Sequence, residues 1–259
     1  MRSLVLAAVA VPAALFLCGS LDTKACWAGQ VRPVRACGRP GLARRAGAVE
    51  SQVAKPSDIS EEDAARFQDA GYSVVSAVYG TVPPESTEDL FEVVREITQL
   101  EQQETFLKGG TFLDLGSGEG ELVVNALKRY PALDRAVGVE LCGDRHSVAQ
   151  ARAETLPDDL RARTHFIEGD ICDESDAEVA EAIASARVVF IGSVMFEAGL
   201  IERLGATLRS LVARQDRSAV VISFGKQLDL GDRPSAFRSG LLRGSWGLAP
   251  IYAYGLLPS

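Results

Sequence analysis

A chain of 259 residues, 47% apolar and 24% charged, has the composition of an ordinary globular protein and is long enough for one large buried core. Seven of its 27 Lys and Arg but only one of its 35 Asp and Glu fall in the first 49 positions, leaving a body with 20 basic and 34 acidic residues. Such a body argues against strong nucleic-acid binding, which needs cationic side chains to displace counterions, and suits a basic protein segment as partner.

The amino terminus reads as an address. Arg2 precedes the apolar run Leu4–Leu17, which is broken by Pro12 and is shorter than the roughly 20 residues a spanning helix needs. Small residues at Cys18, Ser20, Cys26 and Ala28 offer cleavage points, as in a signal peptide. From Gly29 to Ala48 the chain is rich in Arg and Ala and holds no acid, in the manner of a transit peptide. A signal followed by a transit segment points to a plastid bounded by extra membranes, with no membrane span after processing. Secretion, a membrane anchor, and a mitochondrial or nuclear destination are the other readings of this stretch.

Residues 1–49 are therefore set apart as a targeting segment, 50–107 as a helical lead-in and 108–259 as the main body. Ser60-Glu-Glu-Asp63 predicts a helix start, with a hydroxyl to cap free amides and acids in the first turn. Leu90, Phe91, Val94, Ile97 and Leu100 recur at helical spacing within 86–107, and Gly109-Gly110 ends that helix. Strand and helix then alternate: helix 121–130, strand 135–140, helix 145–155, strand 164–169, helix 174–186, strand 187–192, helix 197–214 and strand 218–224. This alternation predicts an α/β, Rossmann-like domain whose mostly parallel sheet has helices on both faces. Segments 236–246 and 250–256 have no helix between them and predict a closing antiparallel hairpin.

The chemistry concentrates at Phe112-Leu-Asp-Leu-Gly-Ser-Gly-Glu-Gly-Glu121, where a short strand enters a turn with three glycines. Gly116, Ser117 and Gly118 let the backbone approach a ligand closely. A dinucleotide fold spaces such glycines as Gly-x-Gly-x-x-Gly and seats pyrophosphate on the next helix, but here the third glycine is Gly120. Asp114 before the turn, and Glu119 and Glu121 after it, would repel a doubly charged anion at short range. A cationic ligand without phosphate is favoured, and S-adenosyl-L-methionine carries both an ammonium and a sulfonium. Glu140 ends the second strand, where a carboxylate can take both ribose hydroxyls; Asp170 follows the third, within reach of the adenine amino group. Cys142 and Cys172 of the body and the isolated His146 and His165 show no ligand spacing, so no metal is expected.

Tyr79-Gly80-Thr81, the glycine motif, Gly138-Val-Glu140, Glu168-Gly-Asp170, Val188-Val-Phe-Ile191, Ser223, Lys226 and Gly244-Ser-Trp246 before Pro250 run in a distinctive order. Over roughly residues 75–256 the chain resembles the Dot-one (disruptor of telomeric silencing) class of histone-lysine N-methyltransferases. The resemblance implies a seven-stranded class I methyltransferase fold and methyl transfer to a lysine side chain. It implies that Tyr79, Gly80 and Thr81 close over the methionine end of the cofactor. Asp114 holds the ammonium; Phe112, Gly116, Ser117, Gly118, Gly120 and Glu121 belong to the cofactor-binding stretch. Glu140 takes the ribose, and Asp170 with Ile171 the adenine. Phe196, Trp246 and Tyr254 are expected to form an apolar acceptor channel in which Ser193 Oγ or nearby carbonyls orient the amine.

Two departures fall on the acceptor side. Gly192-Ser193 stands where the family has two asparagines, and Ala253, between Tyr252 and Tyr254, stands where it has a tyrosine. With an acidic body and an organelle-like address, a lysine of an unidentified protein is the expected acceptor, a histone being one candidate. A small-molecule methyltransferase or an inactive cofactor-binding relative are the other classes of function.

Overall fold

The computed structural model describes residues 59–78, 80–98, 106–212, 217–232 and 234–257; the targeting segment expected over 1–49, the first part of the lead-in at 50–58 and Tyr79 lie outside the described residues. Five strands run parallel: β1 (Thr111–Leu115), β2 (Arg135–Glu140), β3 (Thr164–Glu168), β4 (Ala186–Gly192) and β5 (Ala219–Phe224). The long hairpin β6 (Pro234–Gly244) and β7 (Gly247–Leu256) adds to β5 antiparallel, giving the order β3-β2-β1-β4-β5-β7-β6. All residues of β1 and β5 are buried, as expected of parallel strands covered on both faces, which read as continuous apolar runs rather than alternating ones.

Two cores lie on the two faces of this sheet. One gathers Leu113, Leu115, Val137, Val189 and Val221 with α6 (Ala177–Ser185), α7 (Ala198–Val212) and Phe67 of α1 (Glu61–Asp69). The other gathers Phe112, Ala136, Val188, Val220 and Ile222 with α2 (Pro84–Thr98), α3 (Glu121–Arg129) and α4 (Gly143–Glu154). The lead-in helices thus pack into the same cores as the strands. No helix among the described residues is long and apolar enough to cross a membrane.

Most element ends follow from local chemistry. Ser60 caps α1, its Oγ accepting from Asp63 N–H at 3.2 Å. The helix expected over 86–107 is α2 to Thr98, with Phe106 and Leu107 helical again beyond an undescribed stretch. The helix expected from 174 starts at Ala177, because Asp176 turns the chain and accepts from Glu178 and Val179 N–H. A four-residue α5 (Asp158–Arg161) and a 3-10 turn over Val74–Ala77 have no counterpart in the sequence reading.

Strand order reverses between β1 and β4, so the loops leaving their carboxyl ends diverge and open a crevice, the usual ligand position in such sheets. The segment from α1 to Val82 lies across this crevice, fixed at several points. Asp63 reaches the start of α4, accepting from Gly143 N–H at 2.7 Å, Asp144 N–H at 3.2 Å and the Cys142 thiol at 3.1 Å. Arg66 pairs with Glu168, and Ser73 N–H donates to Glu197. Thr81 exchanges two hydrogen bonds with Ser245 at the hairpin turn.

Candidate active site

The crevice holds a cavity of about 210 Å³. Its floor is the carboxyl end of β1 and the turn that follows. Gly116, Gly118 and Gly120 have φ of 83°, 54° and 76°, the left-handed region that residues with a Cβ avoid. Gly116 and Ser117 N–H both donate to Val139 O, which ties the turn to β2. Gly120 accepts the ring of Phe166 so closely that a Cβ there would sit 2.3 Å from it.

Two buried carboxyl groups face this turn. Asp114 is 4% exposed, and burial, reinforced by the neighbouring Glu140, pushes its carboxyl up to about 8. Glu140 is 5% exposed and accepts from Gly118 N–H at 2.8 Å and Cys142 N–H at 2.9 Å. Burial raises its pKa as well; Arg145 and those two amides oppose the rise without cancelling it. Arg145 also lines the cavity and donates to Ala77 O at 2.6 Å, which holds the 3-10 turn beside Glu140.

The other end of the cavity is built around Asp170. Its Oδ1 accepts from Tyr72 Oη at 2.5 Å and from Cys172 N–H at 2.9 Å, while Arg203 stands 3.5 Å from Oδ2. Burial, followed by the hydrogen bond to Asp170, lifts the Tyr72 phenol far above its ordinary value. The opposite wall is aromatic and apolar: Phe190, Val194, Met195, Phe196, Phe224 and Trp246. Trp246 stacks on Phe224 at 5.1 Å and packs flat on Gly80, where a Cβ would come within 2.0 Å of its ring.

Of the residues picked out from sequence, Gly80, Thr81, Asp114, Gly116, Ser117, Glu121, Glu140, Asp170, Ile171 and Phe196 line this one cavity. Gly118 and Gly120 shape the turn beneath it. Tyr79 lies outside the described residues.

Four expectations are corrected. Ser193 is fully buried outside the cavity lining, its Oγ engaged by Ser223 Oγ at 2.9 Å, Phe224 O at 3.0 Å and Lys226 N–H at 2.9 Å. It latches the β4 exit to the β5 exit and has no free hydroxyl for an acceptor amine. Tyr254 does not line the cavity; its Oη is bonded to both N and O of Leu228, so it forms no part of the acceptor channel. Phe112 packs in the core beneath the turn, 5.6 Å from the ring of Phe91, and supports rather than touches the cavity. Glu119 and Glu121 do not form an open negative collar, because Arg152 stands 3.5 Å from each.

Tyr72, Ser76 and Arg145 are cavity residues that the sequence reading missed. Three shielded polar atoms of the lining have no hydrogen-bond partner among the described residues: Ser76 Oγ, Ser117 Oγ and Trp246 Nε1. Buried groups of this kind are normally satisfied, so the cavity is shaped for a polar occupant.

The family described as histone methylation protein DOT1 matches residues 68–226. The chain belongs to this family. The DOT1 match takes in the glycine turn, Asp114, Glu140, Asp170 and Phe196, and ends before the hairpin that carries Trp246. With membership comes the coarser activity, S-adenosylmethionine-dependent methyl transfer. No curated protein matches the chain. Among solved structures, an RNA methyltransferase from Salinibacter ruber in complex with S-adenosyl-L-homocysteine shares 22% identity at a TM-score of 0.44, covering 66% of this chain and 92% of its own. The methyltransferase domain of bacterial CtHen1 shares 13% at 0.45, over 68% and 100% of the two chains. A S-adenosylmethionine-dependent methyltransferase from Geobacter sulfurreducens in complex with S-adenosyl-L-homocysteine shares 23% at 0.38, over 55% and 48%.

Proposed function

We propose that this DOT1-family protein transfers a methyl group from S-adenosylmethionine to a lysine side chain of a protein. The observation that carries the reading is Asp114: a buried carboxyl facing a second one, Glu140, with no cation against it among the described residues, in a cavity walled by aromatic rings. Such a group is destabilised when ionised and alone, and it is relieved by a cationic ligand.

The residues present fit that cofactor. Asp114 would hold the ammonium, Ser117 Oγ and the glycine turn the methionine portion, Glu140 and Ser76 the ribose region, and Asp170 with Ile171 the adenine. The cofactor supplies an electrophilic methyl on a sulfonium, and the protein's task is to hold nucleophile and methyl in line. Phe190, Phe196, Phe224 and Trp246 supply an apolar wall that excludes water. Desolvation there lowers the pKa of an entering ammonium and so favours the neutral, nucleophilic amine. The acidic body gives a basic peptide an attractive surface.

A second reading has its own support. With Ser193 spent on its latch and Tyr254 bonded to Leu228, the acceptor wall presents aromatic and aliphatic groups, which suits a small apolar amine as well as a lysine. Incubation of the protein with methyl-labelled cofactor, basic peptides and a metabolite extract distinguishes the two. Label on peptide lysines, located by mass spectrometry, supports the first reading; label confined to small molecules removes it.

A further inference from the structure

Asp170 is braced before any adenine arrives. Tyr72 comes from the segment that crosses the crevice, 98 residues earlier, and its Oη donates to Asp170 Oδ1 at 2.5 Å. Cys172 N–H donates to the same oxygen at 2.9 Å. From α7, Arg203 stands 3.5 Å from Oδ2, donates to Ala70 O at 2.7 Å, and lies over the Tyr72 ring with its guanidinium carbon 4.8 Å from the centroid. Tyr72 is 8% exposed and lines the cavity beside Asp170 and Ile171.

These contacts fix more than position. Oδ1 already accepts two hydrogen bonds, and an sp² oxygen has two lone pairs in the carboxylate plane. Acceptance of a further donor therefore falls to Oδ2, whose orientation is set by the fixed Oδ1. The Tyr72 hydroxyl directs its proton at Oδ1 and the Arg203 guanidinium faces Oδ2, so both oxygens are set to act as acceptors. A rigid carboxylate held as an acceptor admits a 6-amino purine, which offers N–H at that position, and disfavours a 6-oxo purine, which offers a carbonyl lone pair there and a donor only at N1.

We infer that Tyr72, with Arg203 behind it, is a positioning residue that makes the cofactor pocket selective for a 6-aminopurine by locking the Asp170 carboxylate. This rests on the assignment of Asp170 to the adenine made above. It also ties base selection to the lead-in segment: the pocket reads the base only when that segment lies across the crevice.

The test is calorimetric titration of wild type and Tyr72→Phe with S-adenosylhomocysteine and with its 6-oxo analogue, S-inosylhomocysteine. The Phe variant keeps the ring beneath Arg203. Wild type is expected to prefer the amino ligand by more than about 10-fold, a difference of one well-made polar contact. In Tyr72→Phe the preference is expected to shrink by about 10-fold, mostly through weaker binding of the amino ligand. Equal weakening of both ligands, with the preference intact, overturns the inference, because a purely structural role lowers both affinities together. No preference in wild type overturns the assignment of Asp170 as well. Arg203→Gln, at a side chain that is 46% exposed and so tolerant of change, removes the second brace independently. It is expected to reduce the same ratio, and an unchanged ratio in that variant also counts against the brace.

Discussion

Gly118 and Glu140 are joined directly: the backbone N–H in the middle of the glycine turn donates to Oε2 of the carboxylate that ends β2, at 2.8 Å. The other oxygen takes Cys142 N–H at 2.9 Å, so one side chain holds both the turn after β1 and the start of α4. The residue placed to meet the ribose is therefore also the pin that shapes the cofactor floor.

That double duty sets the outcome of Glu140→Ala. Each hydrogen bond to a charged acceptor contributes about 1.5–3 kcal/mol. Affinity for S-adenosylhomocysteine should fall by roughly 10- to 100-fold in calorimetry, and the ligand-free Tm should fall as well, since two backbone amides lose their acceptor. Glu140→Gln keeps an acceptor oxygen and should recover most of the Tm but less of the affinity. Wild-type affinity in the Ala variant would remove Glu140 from the site.

Asp114 costs the ligand-free fold stability. Its carboxyl has an ordinary value of 3.8 when exposed and is raised to about 8 by burial and by Glu140. The unfolded chain then releases this proton as pH rises past the lower value while the folded one keeps it. The contribution to stability is thus full at acid pH and is lost progressively as pH climbs from about 4 to about 8. Asp114→Asn removes the titration. At pH 7 its Tm should exceed wild type by at least about 3 °C, the shift that 1 kcal/mol gives in a domain of this size. A Tm equal to wild type at every pH between those limits would show that Asp114 is not buried as described.

Much of this site can be read from the chain alone. Three glycines between a largely apolar strand and a helix read as a turn of positive φ, and β1, β4 and β5 are mostly apolar because both faces of the sheet are covered. The braces were not legible. Tyr72 meets Asp170 at a separation of 98 residues and Asp63 meets Gly143 at 80, and no local pattern announces either contact. Ser193 shows the same limit from the other side. A hydroxyl after β4 looks available, but the register that sets Ile191 beside Ser223 brings it against the Phe224 carbonyl instead.

Ser193→Ala should therefore act on the fold rather than on chemistry. It removes a buried hydroxyl with three partners and leaves Lys226 N–H without its acceptor, at a cost of about 1–3 kcal/mol. Tm should fall by roughly 2–4 °C per kcal/mol, while cofactor affinity at low temperature stays within about twofold of wild type. Undiminished stability with lost methyl transfer would restore Ser193 to the reacting centre.

Tyr254→Phe is expected to behave in the same way. Among the described residues its hydroxyl serves only Leu228, and burial raises the phenol to about 12, so it stays neutral across the working range. Methyl transfer by the variant, assayed below its melting temperature, should keep a wild-type pH profile. A changed profile would place the phenol near the acceptor.

Titration of S-adenosylmethionine into wild type and Asp114→Asn, at about pH 6.5 in two buffers of different ionisation enthalpy, tests most directly whether a buried acid grips a cationic methyl donor. Wild type should bind with release of roughly one proton, as Asp114 passes from neutral to ionised on meeting the ammonium, and the Asn variant should bind at least about 100-fold more weakly with no such release. Equal affinities, or binding by wild type with no exchange of protons, would contradict the account.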